Sequence, residues 1–312
     1  MDEIKPNPIL QFNDNQLQIV RKAVGYEDVN KLKQDIEQLR DWIQKQNHFR
    51  VKDFDVEYLE RWLIVNKGSI ERTKQKLDRL CTFTTLLPEY LQRFDIKNDF
   101  RAIHNISNNI ILPKPSPDHY RILITNFNGL DDKDLDILDY YRYFVVKIHY
   151  MLHNDYCFGY EWIGDLRNVT MGTVAKVNPI VIHKGLNIVT EALAQRIKRF
   201  HMISGSKFFD TVVNLLKQGM SAKLKERVII HPNVESLYDY FPREQLPKDF
   251  GGDEKSMDEL NDEVFNEFCS DLNTERVKFM ESLGTDESRR LSCKFNEEYS
   301  GMPGSFKVLC VD

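Results

Sequence analysis

Residues 199–252 read RFHMISGSKFFDTVVNLLKQGMSAKLKERVIIHPNVESLYDYFPREQLPKDFGG. The stretch divides into strand, amphipathic helix, basic turn, strand, helix and closing glycines. At about 100° per residue, Phe208, Phe209, Val212, Val213, Leu215, Leu216 and Met220 fall in one arc about 160° wide, with Asp210, Thr211, Asn214, Lys217 and Gln218 opposite. Ser206 is placed to cap its start. A helix so divided covers something apolar. That is either the core of an ordinary α/β domain or a cavity for an apolar ligand, over which the helix is a lid.

Upstream, the texture changes twice. Residues 1–27 are polar with a few apolar anchors and read as an arm. From Asp28, the apolar positions Val29, Leu32, Ile36, Leu39 and Ile43 recur at helical spacing. Asp55 and Ser69 are placed to cap two further helices, the last stopping near Pro88. Residues 28–95 thus form a helical module with no alternating run. After the Pro-rich connector at 112–120 the reading is strand at Tyr120–Phe127, aromatic helix at Asp132–Leu152, strand at Tyr160–Leu166 and helix at Val181–Arg196. Together with the stretch above, this alternation means α/β with mostly parallel pairing. Residues 96–255 make that domain. Residues 256–312 hold a helix over Met257–Leu272 and an extended tail.

Composition narrows the function. A net charge of −5 over 312 residues offers no global field for nucleic acid or an anionic membrane, so any basic surface is a local patch. Five scattered cysteines make no metal spacing and suit free thiols in a reducing compartment. The N-terminus is acidic and broken by prolines, unlike a signal peptide, and no uncharged run has transmembrane length. The sequons at Asn105 and Asn168 carry no weight without a secretory signal. A cytoplasmic protein with transient membrane association is expected.

The chemical motifs are weak. His149 and His153 share a helix face near Asp155, but Tyr150 stands where a zinc-protease pattern needs Glu. Ser204-Gly205-Ser206-Lys207 lacks the Walker spacing, and neither a nucleophile elbow nor a dinucleotide loop occurs. Asp165 has no partner in any motif. No catalytic residue, metal or cofactor is assigned, and the chain reads as a non-enzyme. The basic residues Arg196, Lys198, Arg199, Lys217, Lys223, Lys225 and Arg227 crowd the two ends of the lid. They form either a solvated charged face or a contact for anionic lipid headgroups.

Several segments resemble the CRAL-TRIO lipid-binding family, and within it the alpha-tocopherol-transfer-protein-like members. YLERWLIVNKGSIERTKQKLD looks like that family's helical leader, and GDLRNVTMGTVAKVNP sits where it has an Asp-Leu strand end. RFHMIS, KERVIIHPN and LPKDFGGD resemble its last strands and its glycine close. The ending GMPGSFKVLCVD is similar to that of arthropod members. The resemblance implies an apolar pocket on one face of the sheet, closed by the lid. Carried over by position, its wall includes Tyr141, Phe144, Ile148, Ile163, Val169, Ile188, Val189, Leu193, Phe208, Val212, Leu215 and Leu216. It also implies phosphoinositide contacts at Arg196, Lys198, Lys223 and Arg227, to which Lys217 of the lid is added.

Three departures qualify the resemblance. Ile64, Val65 and Asn66 stand where the family often has basic residues, which weakens one corner of the patch. Gln195 replaces a Glu found in phosphatidylinositol-transferring members. Phe144 and Ile148 replace the serines of the tocopherol pocket, so this pocket reads as drier. The expected function is to bind one hydrophobic small molecule, of lipid, tocopherol, retinoid or carotenoid type, and transfer it between membranes by lid gating. The alternative is a peripheral membrane adaptor or phosphoinositide sensor with a vestigial pocket. The expected partners are that ligand and an anionic membrane surface, with no nucleic acid.

Overall fold

The computed structural model describes residues 3–128, 136–170, 172, 178–193, 196–204, 213, 217 and 222–290. Its leader helices begin at the three caps read from the sequence. Asp28, Asp55 and Ser69 accept hydrogen bonds from the backbone N–H groups of Asn30, Tyr58 and Arg72. They open α2 (Val29–Gln44), α3 (Val56–Val65) and α4 (Ile70–Leu86). The arm also carries a helix, α1 (Gln16–Ala23), whose Leu17 and Val20 pack with Ile64 and Tyr156. Pro88 ends α4 and starts the short α5 (Pro88–Leu91), which α6 (Ile96–Asp99) and α7 (Arg101–Ile106) follow.

Among the described residues, the sheet has five strands in the order β1-β2-β3-β4-β5. They are β1 (Ser107–Ile111), β2 (Arg121–Phe127), β3 (Tyr160–Asp165), β4 (Ile197–Ile203) and β5 (Val228–His231). β1 runs antiparallel to β2, and every later pair is parallel. The fold is therefore α/β, with a helical N-terminal module and a mostly parallel sheet. β1 escapes the sequence reading because Ser107, Asn108 and Asn109 break the apolar pattern. They are buried all the same, since Asn108 bonds Asp258 and the Asn109 N–H bonds Asn261.

The remaining α-helices among the described residues are α8 (Ile137–Asn154), α9 (Pro179–Asn187), α10 (Ala222–Lys225), α11 (Met257–Phe268) and α12 (Asp271–Ser282). The single helix expected over Met257–Leu272 is thus two, because Ser270 caps a new one by accepting from the Asn273 N–H. The helix expected between the last strand and the closing glycines, within 234–250, is instead three 3₁₀ turns, Glu235–Asp239, Arg243–Gln245 and Lys248–Phe250. The helix expected to run to Arg196 instead leaves α9 through a π turn, Ile188–Ala192.

Strand alternation sends side chains to two faces. Ile110, Ile122, Ile124, Ile163 and Ile203 point one way, under Leu237, Phe241, Leu246 and Phe250. Ile111, Leu123, Tyr160 and Trp162 point the other way, toward α8. The core on the α8 side continues without a break into the leader, through Tyr58, Leu59, Trp62, Leu77 and Leu80. Among the described residues, no helix is long and apolar enough to cross a membrane.

Candidate ligand and headgroup site

The apolar part is built on α8. Asp136 caps this helix, and its inner face carries Tyr140, Phe144 and Ile148 at helical spacing. The Phe144 ring lies 4.6 Å from that of Trp162, which lies 5.6 Å from that of Phe200. One apolar strip thus runs from α8 across β3 to β4. α9 approaches α8 closely: a Cβ at Gly185 would meet the Tyr141 ring at 2.3 Å, so only glycine fits without a shift. The π turn then buries Ile188, Val189 and Ala192, while Thr190 and Glu191 line the groove described next.

That groove has a volume of about 430 Å³ and lies between the leader and the sheet edge. Lys67, Arg72 and Lys76 come from the leader; Arg196, Lys198, Lys223 and Arg227 come from the sheet side. Lys67 sits just past the end of α3 in left-handed backbone, φ 61°. Arg196 beside it, then burial, then Arg72, Lys223 and Arg227 hold the Lys67 ammonium below the usual lysine range. Like charges gathered this way cost free energy until an anion joins them.

Two of the groove lysines are already compensated. Lys198 donates to Asp118 at 2.6 Å and to Glu161 at 2.7 Å. Lys76 donates to the Thr190 carbonyl at 2.7 Å and to Glu191 at 3.2 Å, and Arg79 joins it on Glu191. Lys67, Arg72, Arg196, Lys223 and Arg227 make no ion pair with a carboxylate among the described residues. Arg196 instead lies over the Tyr120 and Phe158 rings, and Arg227 donates to the Ile197 carbonyl.

Residues 105–252 match the family model described as the CRAL/TRIO domain, and residues 28–100 match that of the Pinta-like UBA domain. Residues 105–252 are thus a CRAL/TRIO domain. Curated relatives named alpha-tocopherol transfer protein-like, from Mus musculus and Homo sapiens, are each 20% identical. The mouse match spans 76% of this chain and 73% of the relative, and the human match 75% and 72%. The solved structure titled "Crystal structure of Sfh5" superposes with a TM-score of 0.51 at 10% identity, over 81% of this chain and 97% of that one. It agrees in fold.

Within this CRAL-TRIO frame, the residues assigned to the pocket wall fall into three groups. Phe144, Ile148, Ile188, Val189 and Leu193 are buried in the core that includes α8, with Tyr141 partly buried against it. Val169 borders a smaller cluster of Leu166, Phe200, Met202 and Val213. Ile163 lies on the opposite face of the sheet, with Leu237 and Leu246 as core neighbours. Trp162, one residue earlier, is the β3 side chain that meets Phe144; strand alternation makes the difference. Phe208, Val212, Leu215 and Leu216 lie outside the described residues, as does Gln195.

The headgroup set also changes. Lys217 is half-buried and does not line the groove. The corner that Ile64, Val65 and Asn66 leave uncharged is supplied by Lys67 and Arg72, which the sequence reading passed over. Lys67 was legible as the cation directly after that gap.

On the side of α8 toward α3, His149 is buried and His153 half-buried, and the His153 ring stacks 4.3 Å from Tyr58. Burial, reinforced by Arg276, lowers the His149 pKa to about 3, so its ring is neutral. Asp155 is committed to Arg121 and Asp165 to Arg167. Among the described residues, no group of three or more His, Cys, Asp or Glu side chains could hold a metal ion.

Proposed function

We propose that this chain carries one hydrophobic small molecule between membranes and that the basic groove docks it on anionic lipid headgroups. The observation that carries this reading is the juxtaposition within one wall. The π turn Ile188–Ala192 has Ile188 and Val189 in the apolar core, and Thr190 and Glu191 at the groove. A mostly apolar site beside a cluster of cations that make no ion pair with a carboxylate among the described residues suits a protein that takes up its cargo at a bilayer surface. The CRAL/TRIO domain and the curated relatives named for tocopherol transfer support the same reading. Burying about 400 Å² of ligand surface supplies about 10 kcal/mol before entropic costs, enough to retain an uncharged ligand. No bond is made or broken.

Phosphoinositides are the headgroups that fit best, because several phosphates can engage Lys67, Arg72, Arg196, Lys223 and Arg227 together. The deciding experiment is organic extraction and native mass spectrometry of the purified chain, with transfer between phosphatidylcholine vesicles with and without a phosphatidylinositol bisphosphate. A stoichiometric apolar ligand, and transfer that the bisphosphate accelerates, support the carrier. An empty chain that still binds the bisphosphate vesicles is instead an adaptor. Lid gating is tested by Val212→Asp combined with Leu216→Asp: loss of uptake in a folded chain supports it, and undiminished transfer rejects it.

A further inference from the structure

One side chain of α8 is left unused by the carrier reading. Lys147 is fully buried, three residues after Phe144 and one before Ile148, on the side of the helix that faces the sheet. Its Nζ has one hydrogen-bond acceptor among the described residues, Asn109 Oδ1 at 3.5 Å, the outer limit for such a bond. That oxygen already accepts from Thr125 Oγ1 at 3.3 Å, and Thr125 Oγ1 accepts from the Tyr140 hydroxyl at 3.4 Å. No carboxylate pairs with Lys147 among the described residues. Burial pulls its pKa down to about 7.

The register locates this polar cluster beside the apolar strip. Asn109 pairs with Thr125 across β1 and β2, and Thr125 pairs with Gly164 on β3. Gly164 contributes no side chain. Two residues earlier on the same face stands Trp162, beneath Phe144, roughly 7 Å along the strand. The cluster therefore lies at one end of the Phe144–Trp162–Phe200 strip, within reach of a flexible four-carbon stem. The other favourable neighbour of Lys147 among the described residues is the Tyr143 ring, 5.9 Å from Nζ to the centroid, near the outer limit for a cation–π contact. Methionine fills the same volume without a polar atom, and a neutral amide would match Asn109 better. A buried amine without a carboxylate gains an ionic partner only when an acid arrives from outside.

We propose that Lys147 Nζ receives the carboxylate of an acidic lipid, a long-chain monocarboxylic acid whose tail lies along Phe144, Trp162 and Phe200. The carboxyl proton moves to the amine, and a buried ion pair replaces a lone base and a lone acid. The inference rests on the carrier reading and adds the chemical class of the cargo.

The test is binding of oleic acid, oleyl alcohol and methyl oleate to the full chain, with Lys147→Met and Lys147→Gln as variants and circular dichroism as the check of folding. Oleic acid should bind at least about tenfold tighter than the alcohol, as expected for a charge-assisted contact. Lys147→Met should erase that preference and leave affinity for the alcohol unchanged. Equal affinity of the wild-type chain for acid and alcohol overturns the inference, even if neither variant folds. So does a preference for the acid that survives in either variant. Uptake of alcohol and ester without acid rejects the role of Lys147 but leaves the carrier reading standing. Failure to bind all three, with no apolar molecule extracted from the purified chain, rejects the carrier reading itself.

Discussion

Arg121 and Asp155 meet as a fully buried bidentate pair, Nε to Oδ2 at 2.8 Å and Nη2 to Oδ1 at 2.9 Å. The guanidinium also donates to the carbonyls of Gln11, Leu112 and Pro113, so one side chain ties the arm, the β1–β2 connection and the end of α8 together. Asp155→Ala should lower unfolding free energy by about 3–5 kcal/mol, because it leaves that charge buried and uncompensated. Replacing both partners by leucine and methionine should cost less than the single change. Urea denaturation of the two variants checks the order, which a merely additive pair would not give.

The groove cations should not contribute equally. Lys67→Ala, Arg72→Ala and Lys223→Ala should each weaken binding to phosphoinositide vesicles by about fivefold, at roughly 1 kcal/mol per cation near an anionic surface. Lys198→Ala should weaken binding less and destabilise the fold more, because it takes the shortest partner from the buried Glu161, leaving it His201 and Arg199, and the ammonium from Asp118. Vesicle co-sedimentation at two salt concentrations, alongside thermal melts, separates the two effects; equal binding losses would contradict the compensation seen in the ion pairs.

Gly185 is a position where α9 approaches α8 closely. Gly185→Ala should destabilise by about 1–3 kcal/mol through overpacking against the Tyr141 ring. Tyr141→Ala should relieve much of that penalty when the two are combined. A double-mutant cycle measured by chemical denaturation tests the coupling, and independent effects would show that the ring yields freely.

Acid should loosen the joint between the leader and α8. The His149 pKa is depressed in the folded state to about 3, against about 6.5 when unfolded. The unfolded chain then binds more protons between those values, so stability is fully present above about pH 6.5 and falls as pH drops toward 3. His231, lowered to about 4 by burial and by His201, acts in the same sense. His149→Leu should flatten part of the decline in urea midpoint between pH 7 and pH 5. An unchanged slope would place the acid sensitivity elsewhere.

Helix caps and apolar periodicity made most of the fold readable. Asp28, Asp55 and Ser69 open their helices because a short polar oxygen satisfies free N–H groups whatever packs nearby. The misreadings share another cause. β1 begins with Ser107, Asn108 and Asn109, whose burial depends on partners about 150 residues away in α11. The π turn has no local signal in Ile188–Ala192, since Ile, Val and Thr there favour a strand while Glu and Ala favour an α-helix. For the site, positional carry-over took Ile163 where alternation required Trp162. The basic cluster was visible as composition, but not which of its charges were already cancelled: Lys198 looks the same as Lys223 until Asp118 and Glu161 are in place.

The core that passes from Leu123 and Tyr160 through Met151 to Tyr58 and Trp62 has a consequence for inheritance. Two family models describe residues 28–100 and 105–252 separately, yet each segment holds half of one interior. A cut between them would expose two raw surfaces, so neither half carries a complete folding code. Recombination that trades one leader for another must then preserve the shape of α8's outer face, and the two segments are bound to drift as a pair.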